Sequence, residues 1–293
     1  MPAFLSAQGA TRTVIRAATV LDGRGGVQHN VDILVANGRI ERTAPRGTVP
    51  AGARLVDLGS RTVLPGFIDA HTHPAWYFNR QNRLHTSGDG DTPAQSMLAA
   101  AANAHATLMA GFTTIQSVGS RSDIDIRDWI ATQGLPGPRI LTSLDPITDR
   151  SLSPDSLRAL VRQHKAEGAD LIKIFASGSI REGGQQTMSD SQLVAACGEA
   201  KGLGLRTLVH AHSAASVRAA TLAGCTQVEH GLFVTPEVLS LMAARGTYFD
   251  PQCSLIFRNY LDNRAKYQGI GNYTDSGFAV MERMLPVAPQ VIR

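Results

Sequence analysis

Residues 170–177, DLIKIFAS, decide the architecture. The run is apolar on both sides of a strand except at Lys173, as a strand buried in a parallel sheet between helices requires. The same texture recurs outward along the chain in LPGFIDAHTH (64–73), GFTTIQSVG (111–119), PRILTS (138–143), LRTLVHAHS (205–213), TQVEHGLF (226–233) and TYFDPQC (247–253). Helix signals lie between these runs. Thr92-Pro93, Ser153-Pro154 and Thr235-Pro236 each set a capping hydroxyl before a proline at the first helical position. Ser189 and Gln192 form a capping box, and Leu157, Leu160, Val161 and His164 recur at helical spacing. Gly111, Gly168, Gly202, Gly224 and Gly246 stand where helices should stop. Seven strands alternating with helices predict an α/β fold of the (β/α)8 TIM-barrel type, incomplete because no eighth strand is visible. No glycine-rich phosphate loop follows the first strand, which argues against a dinucleotide-binding sheet.

Residues 12–64 read differently, as short alternating runs separated by Gly, Asn, Asp and Pro. They predict a small antiparallel sheet, with its clearest hairpin at Asn37-Gly38. The 293 residues, 43% apolar and 18% charged, suit one large domain or a large one with a small companion. A surplus of 28 basic over 24 acidic side chains is too mild for nucleic acid. No apolar run approaches ~18 residues, so no membrane span is expected. The start, MPAFLSAQGATRT, lacks a basic segment followed by an apolar core, so no secretory signal is expected. Cys197, Cys225 and Cys253 are scattered without metal spacing and read as reduced thiols of a cytoplasmic protein.

The chemistry is carried by histidines at strand ends. His71 and His73 are two apart on one strand, so both imidazoles share a face and can hold one metal ion. His210 and His230 end two further strands, and the C-terminal ends of barrel strands are where active sites lie. Lys173 sits inside an apolar strand, sharing its face with Leu171 and Phe175. Burial disfavours its ammonium form, and the neutral amine can take up carbon dioxide to become an anionic carbamate ligand bridging two metals. Any one of these residues alone is as readily a packing residue; the set is not.

The segments PGFIDAHTHP, GFTTIQSVG, GPRI, GADLIKIFASG, VHAHS and AGCTQVEHG, in this order, resemble the amidohydrolase superfamily. The resemblance is closest to its imidazolonepropionase-like and Xaa-Pro or Xaa-Arg dipeptidase branch, and extends from about residue 12 to 293. It implies a distorted barrel over 64–293 and, over 1–63, the N-terminal part of a composite β-sandwich. It also implies two divalent metals, zinc foremost, held by His71, His73, His210 and His230 and bridged by carbamylated Lys173. Lys173 and His230 then take direct parts in catalysis. The implied reaction is hydrolysis of an amide, peptide or cyclic-amide C–N bond by a hydroxide shared between the metals. Spacing to the sixth-strand histidine selects His210 as the fifth-strand ligand and leaves His212 on the substrate side. His29, His85, His105 and His164 match no ligand position.

Two departures from the family pattern bear on function. The eighth strand, whose aspartate is a metal ligand and proton carrier, has no counterpart, and residues 278–293 (FAVMERMLPVAPQVIR) read as the helix before it. Asp250 ends the seventh strand and is in the wrong strand to replace that aspartate. A barrel of seven strands exposes two edges, so a second copy of the chain or a partner polypeptide is expected to cover them. The alternative to an enzyme is therefore a non-catalytic metal-binding subunit completed by a second chain. The segment LTSLDPITDR (141–150) is also short. For a small-molecule substrate, the loop 74–91 offers Tyr77 beside Trp76 and Phe78, and the loop 176–188 offers Arg181 as a carboxylate anchor.

Overall fold

The computed structural model describes residues 12–132, 134–252 and 255–286. The chain divides into two units, residues 1–66 and 67–293. Residues 1–11, Cys253 and the tail 287–293, each read above from sequence, lie outside the described residues.

In the first unit, β1 (Arg12–Leu21), β2 (Val27–Ala36) and β3 (Arg39–Pro45) form an antiparallel meander. Asn37 and Gly38 join β2 to β3 with φ of 52° and 73°, the two left-handed positions that a tight hairpin demands. The buried Asp32 carboxylate accepts two bonds from Arg16, at 2.8 and 2.9 Å, and one from the Gly47 N–H at 2.8 Å. The guanidinium holds that carboxyl below its ordinary range. In this unit the expected N-terminal sandwich portion is a single sheet. The short strands β4 (Arg54–Asp57) and β5 (Thr62–Val63) both pair in parallel with β1, giving one five-stranded sheet. They satisfy the free edge of β1 rather than stacking as a second layer.

All seven expected strands of the second unit are present and parallel to their neighbours. One ladder comprises β6 (Phe67–Thr72), β7 (Phe112–Ser117) and β8 (Arg139–Thr142). The other comprises β9 (Leu171–Phe175), β10 (Arg206–Ser213), β11 (Gln227–Phe233) and β12 (Tyr248–Asp250). The connecting helices are α1 (Pro93–Met109), α2 (Asp123–Ala131), α3 (Pro154–Ala166), α4 (Asp190–Gly202), α5 (Ala214–Leu222) and α6 (Pro236–Arg245). The hydroxyls of Thr92, Ser153 and Ser189 cap α1, α3 and α4 as their sequences require. The end of α4 differs from expectation. Gly202 is its last helical residue and Gly204 takes the left-handed position, with φ of 69°.

Between β8 and β9 the ladder is irregular. The Ile147 N–H donates to the Lys173 carbonyl at 2.8 Å, and the Phe175 N–H donates to the Ile147 carbonyl at 3.0 Å, so a loop residue stands in for strand. Between β12 and β6 no pairing joins the edges. A groove of about 550 Å³ separates Ile68, Asp69 and Ala70 from Tyr248, Phe249 and Asp250. Among the described residues the barrel is thus an open arc of seven strands, because nothing bonds to either outer edge.

The largest apolar cluster lies between β9–β11 and helices α3–α6, and includes Leu157, Val161, Ile172, Ile174, Leu193, Val209 and Val228. Each such side chain contributes roughly 1.5–3 kcal/mol on full burial. Cys197 and Cys225 form a disulfide there, with Cα atoms 5.1 Å apart, which corrects the reduced-thiol reading and removes the cysteine argument for a cytoplasmic location. Their spacing in sequence carries no trace of this; α4 and the approach to β11 meet only through packing.

After β12 the chain forms α7 (Leu255–Asp262), α8 (Arg264–Tyr267) and α9 (Asp275–Met284). Tyr267, Tyr273, Phe278 and Met281 pack against Ile180 and Leu232, making a cap over the C-terminal ends of β9 and β11. No described helix is long and apolar enough to cross a membrane.

Candidate metal centre

Imidazoles from three strands converge because each lies in the later part of its strand or just beyond it. His71 closes β6 with His73 just beyond it, His210 and His212 lie on β10, and His230 lies on β11. Together with Lys173 they line one cavity of about 240 Å³. The ring centroids of His71 and His73 are 5.4 Å apart, His71 and His230 5.3 Å, and His210 and His230 4.7 Å. Available ring nitrogens of His210, His212 and His230 all lie within 4.8 Å of one another, so geometry alone leaves His212 as close to the group as His210.

Lys173 is 1% exposed and has no carboxylate within ion-pair distance among the described residues. Its Nζ lies 3.5 Å from His71 Nε2 and 5.5 Å from the centroid of Phe175. Burial depresses its pKa to about 8 against the opposing charges of Glu229 and Asp250, which makes the neutral amine far more accessible than in an ordinary lysine. Burial also holds His71, His73, His210 and His230 well below the ordinary imidazole value, with the nearby positive charge of Lys173 acting in the same direction. His212 is pushed down to about 3, first by burial and then by Arg181 and Lys173. Five neutral imidazoles facing one space are the protonation state in which histidine binds a metal.

Glu229 is a site residue that sequence reading missed. Its buried carboxylate accepts from His71 Nδ1 at 2.6 Å, which turns His71 Nε2 towards Lys173 and the cavity as the coordinating nitrogen. His210 donates through Nε2 to the Gly178 carbonyl at 3.2 Å, leaving its Nδ1 free in turn. Strand alternation should send Glu229 and His230 to opposite faces. His230 breaks the alternation with φ of 73°, a left-handed conformation costing a non-glycine residue about 1–3 kcal/mol. Gly231 follows with φ of 52°, and a Cβ there would come within 2.5 Å of the Phe249 ring. Asp250, pushed up to about 6 by burial and then by Glu229, joins His71 and Glu229 in a second cluster.

The substrate-side residues separate. Arg181 and His212 line the cavity, and Trp76 stacks on His73 at 3.9 Å. Tyr77 does not reach it: its hydroxyl bonds Asp91 at 3.1 Å and Ser96 of α1 at 2.9 Å, and its ring stacks on His85, so partners in its own loop and in α1 hold it away. Phe78 lies against Tyr267. Tyr260, Asn272 and Tyr273 of the helical cap also line the cavity, and nothing in their local sequence marks them. The buried nitrogens His73 Nδ1 and His212 Nδ1 have no protein partner, as a site built to receive a further group requires.

The amidohydrolase family pattern matches residues 62–284. The chain is 29% identical over 280 aligned residues to imidazolonepropionase of Pseudomonas entomophila strain L48, covering 79% of this chain and 67% of that protein. A Xaa-Pro dipeptidase solved with methionine in its active site superposes with a TM-score of 0.79 at 27% identity, over 96% of this chain and 75% of that one. A prolidase-like protein from Bifidobacterium longum gives 0.74 at 26% identity, over 94% and 68%. With the histidine–lysine cluster at the strand ends, these likenesses lead to one conclusion: the chain belongs to the amidohydrolase family, in the branch of imidazolonepropionase and the Xaa-Pro dipeptidases.

Proposed function

We propose that this chain is a metal-dependent hydrolase of amide, peptide or cyclic-amide C–N bonds in small molecules. His71, His73, His210 and His230 would hold two divalent cations, with zinc the best match to imidazole ligands. Lys173 would bridge them as a carbamate, formed when its neutral amine bonds the carbon of carbon dioxide and releases a proton. The cations, when bound, supply hydroxide at neutral pH and polarise the scissile carbonyl. The chain's own residues do the rest. Glu229 and the Gly178 carbonyl hold His71 and His210 in the coordinating tautomer. Trp76 and Phe175, stacked on His73 and His210, exclude water from one wall of the site. His212, neutral at physiological pH, offers a hydrogen bond to the substrate rather than a proton.

One observation carries this reading: a fully buried lysine without an acidic partner at ion-pair distance, facing neutral imidazoles. Its test is metal content and turnover of wild type and Lys173→Met on a dipeptide and cyclic-amide panel. Two ions per chain, turnover, a carbamate signal after growth in carbon-13 bicarbonate, and loss of all three in the variant are expected. A metal-loaded wild type without turnover would sink it.

The groove between β6 and β12 favours a second reading, a metal-binding chain completed at its open edge by a second copy or another polypeptide. One ion or none per chain, no turnover and a stable oligomer would support it over the first.

A further inference from the structure

We propose that Gln252 accepts a hydrogen bond from the N–H of the reacting amide, so that the site takes amides that keep an N–H and rejects those whose nitrogen is substituted, an Xaa-Pro bond among them. The inference rests on the hydrolase reading and narrows its substrate.

Three features meet at Gln252. Asp250-Pro251-Gln252 turns the chain out of β12, and the Asp250 carboxylate accepts from the Gln252 N–H two residues on, as aspartate does in a tight turn. The turn sets Gln252 at φ of 43°, a conformation that turns ordinarily leave to Gly or Asn. Among the described residues only Leu144, His230 and Gln252 take a positive φ without being Gly or Asn, and the last two line the cavity. Such strain persists only where the surroundings enforce it, and it gathers at ligand sites. The third feature is the side-chain amide, whose Oε1 is buried with no hydrogen-bond partner. A buried acceptor left unpaired in this way calls for a donor from outside the chain.

Elsewhere in the cavity wall polar side chains are engaged. Arg181 is clamped by Asn272, whose Oδ1 accepts from its Nε at 2.8 Å, and by Tyr273, whose ring centroid lies 4.1 Å from the guanidinium carbon. His73 Nδ1 and His212 Nδ1, which also lack partners, belong to the imidazole cluster. Among the described residues lining the cavity, Gln252 Oε1 is thus the one orphaned oxygen. The ladder register pairs Asp250 with Glu229, so the end of β12 lies beside β11, the strand of His230, and the acceptor stands at the reacting end of the cavity. A substrate N–H completes it. An N-alkyl group covers it and leaves it with neither donor nor water, which is how a site built for an N–H discriminates most strongly.

The experiment compares L-alanyl-glycinamide with L-alanyl-sarcosinamide, its N-methyl counterpart, and with L-alanyl-L-prolinamide, on metal-loaded wild type, Gln252→Leu, Gln252→Gly and Gln252→Glu. In wild type kcat/KM should favour the N–H amide by roughly 10- to 100-fold, the cost of leaving a buried acceptor unpaired. The preference should collapse towards unity in Gln252→Leu and Gln252→Gly and persist in Gln252→Glu, which keeps an acceptor oxygen. Gln252→Gly should retain its metal and match or exceed wild type in Tm, because glycine relieves the positive φ, so its lost selectivity is not lost folding. Calorimetric affinity should likewise favour N-benzylacetamide over N-benzyl-N-methylacetamide in wild type and lose that preference in the same two variants. Equal rates on the N–H and N-substituted amides, or a preference untouched in Gln252→Leu and Gln252→Gly, overturn the assignment while leaving the hydrolase reading intact. If nothing is hydrolysed, the hydrolase reading fails and the calorimetric comparison alone decides the role of Gln252.

Discussion

Ile174 and Ile68 are the same residue on two strands of one arc, and they experience opposite environments. Ile174, on β9, is completely buried; Ile68, on β6, is 68% exposed. The contrast extends to their ladders. β9–β12 rests on α3–α6 through the main apolar cluster, and four consecutive residues of β9 are buried. β6–β8 has a smaller core of Ala100, Ala104, Ile115, Ile126 and Ile140, and its outer strand is open to solvent along the groove. Burial thus follows position in the arc and not side-chain type. What ties the ladders together at their functional ends is polar: Glu229 of β11 bonds His71 of β6, and Lys173 of β9 approaches the same ring.

The largest test of this picture is pH, because the imidazoles come from both ladders. His71, His73, His210, His212 and His230 are all held below the ordinary value of 6.5. The unfolded chain therefore takes up protons below about pH 6.5 that the folded chain refuses, so stability is full above that value and falls as pH drops through it. Each group contributes up to about 1.4 kcal/mol per pH unit. Glu229 and Asp250, both raised first by burial, work in the opposite sense, their contributions being lost as pH rises through their folded values, but they are two site groups against five. The Tm of chelator-treated protein should drop steeply from about pH 7 to about pH 5. A level Tm would mean that the two sets of histidines do not share a dry site.

Core substitution comes next in size. Ile174→Ala should cost about 2–5 kcal/mol in denaturant unfolding, the range for a large apolar side chain lost from a packed core. Glu229→Gln should weaken metal binding about 10- to 100-fold, read by competition with a chromophoric chelator, because it loosens the His71 orientation that joins the ladders. The smallest effect is expected at the open edge, where Ile68→Ala should change stability by no more than about 0.5 kcal/mol. A cost at Ile68 comparable to that at Ile174 would reveal that something covers β6 in solution.

The comparison also marks how far sequence reading reached. Strands, caps and the Asn37-Gly38 hairpin were legible because each depends on neighbours within a few residues: a hydroxyl before a proline, two positions tolerant of positive φ, an apolar run. His71, His73, Lys173, His210 and His230 could be nominated because every strand end delivers its last side chains to the same side of a parallel sheet. Glu229 was hidden by that very rule, since alternation assigns it to the face opposite His230, and only the left-handed turn at His230 overrides it. Its one local signal was an acid directly before a strand-end histidine. The clamp on Arg181 was hidden for a different reason, as Asn272 and Tyr273 lie some ninety residues away.

The amino-acid sequence by itself determined which segments are strands and helices, and which chemical groups the strand ends carry, because periodicity and capping are short-range physics. Only the tertiary structure decided which groups meet. It brought Cys197 to Cys225, turned Tyr77 away from the cavity and Trp76 into it, joined the short strands β4 and β5 to β1, and left β6 and β12 apart. Those outcomes depend on packing and on competition for hydrogen-bond partners between segments distant in the chain, which no local pattern encodes.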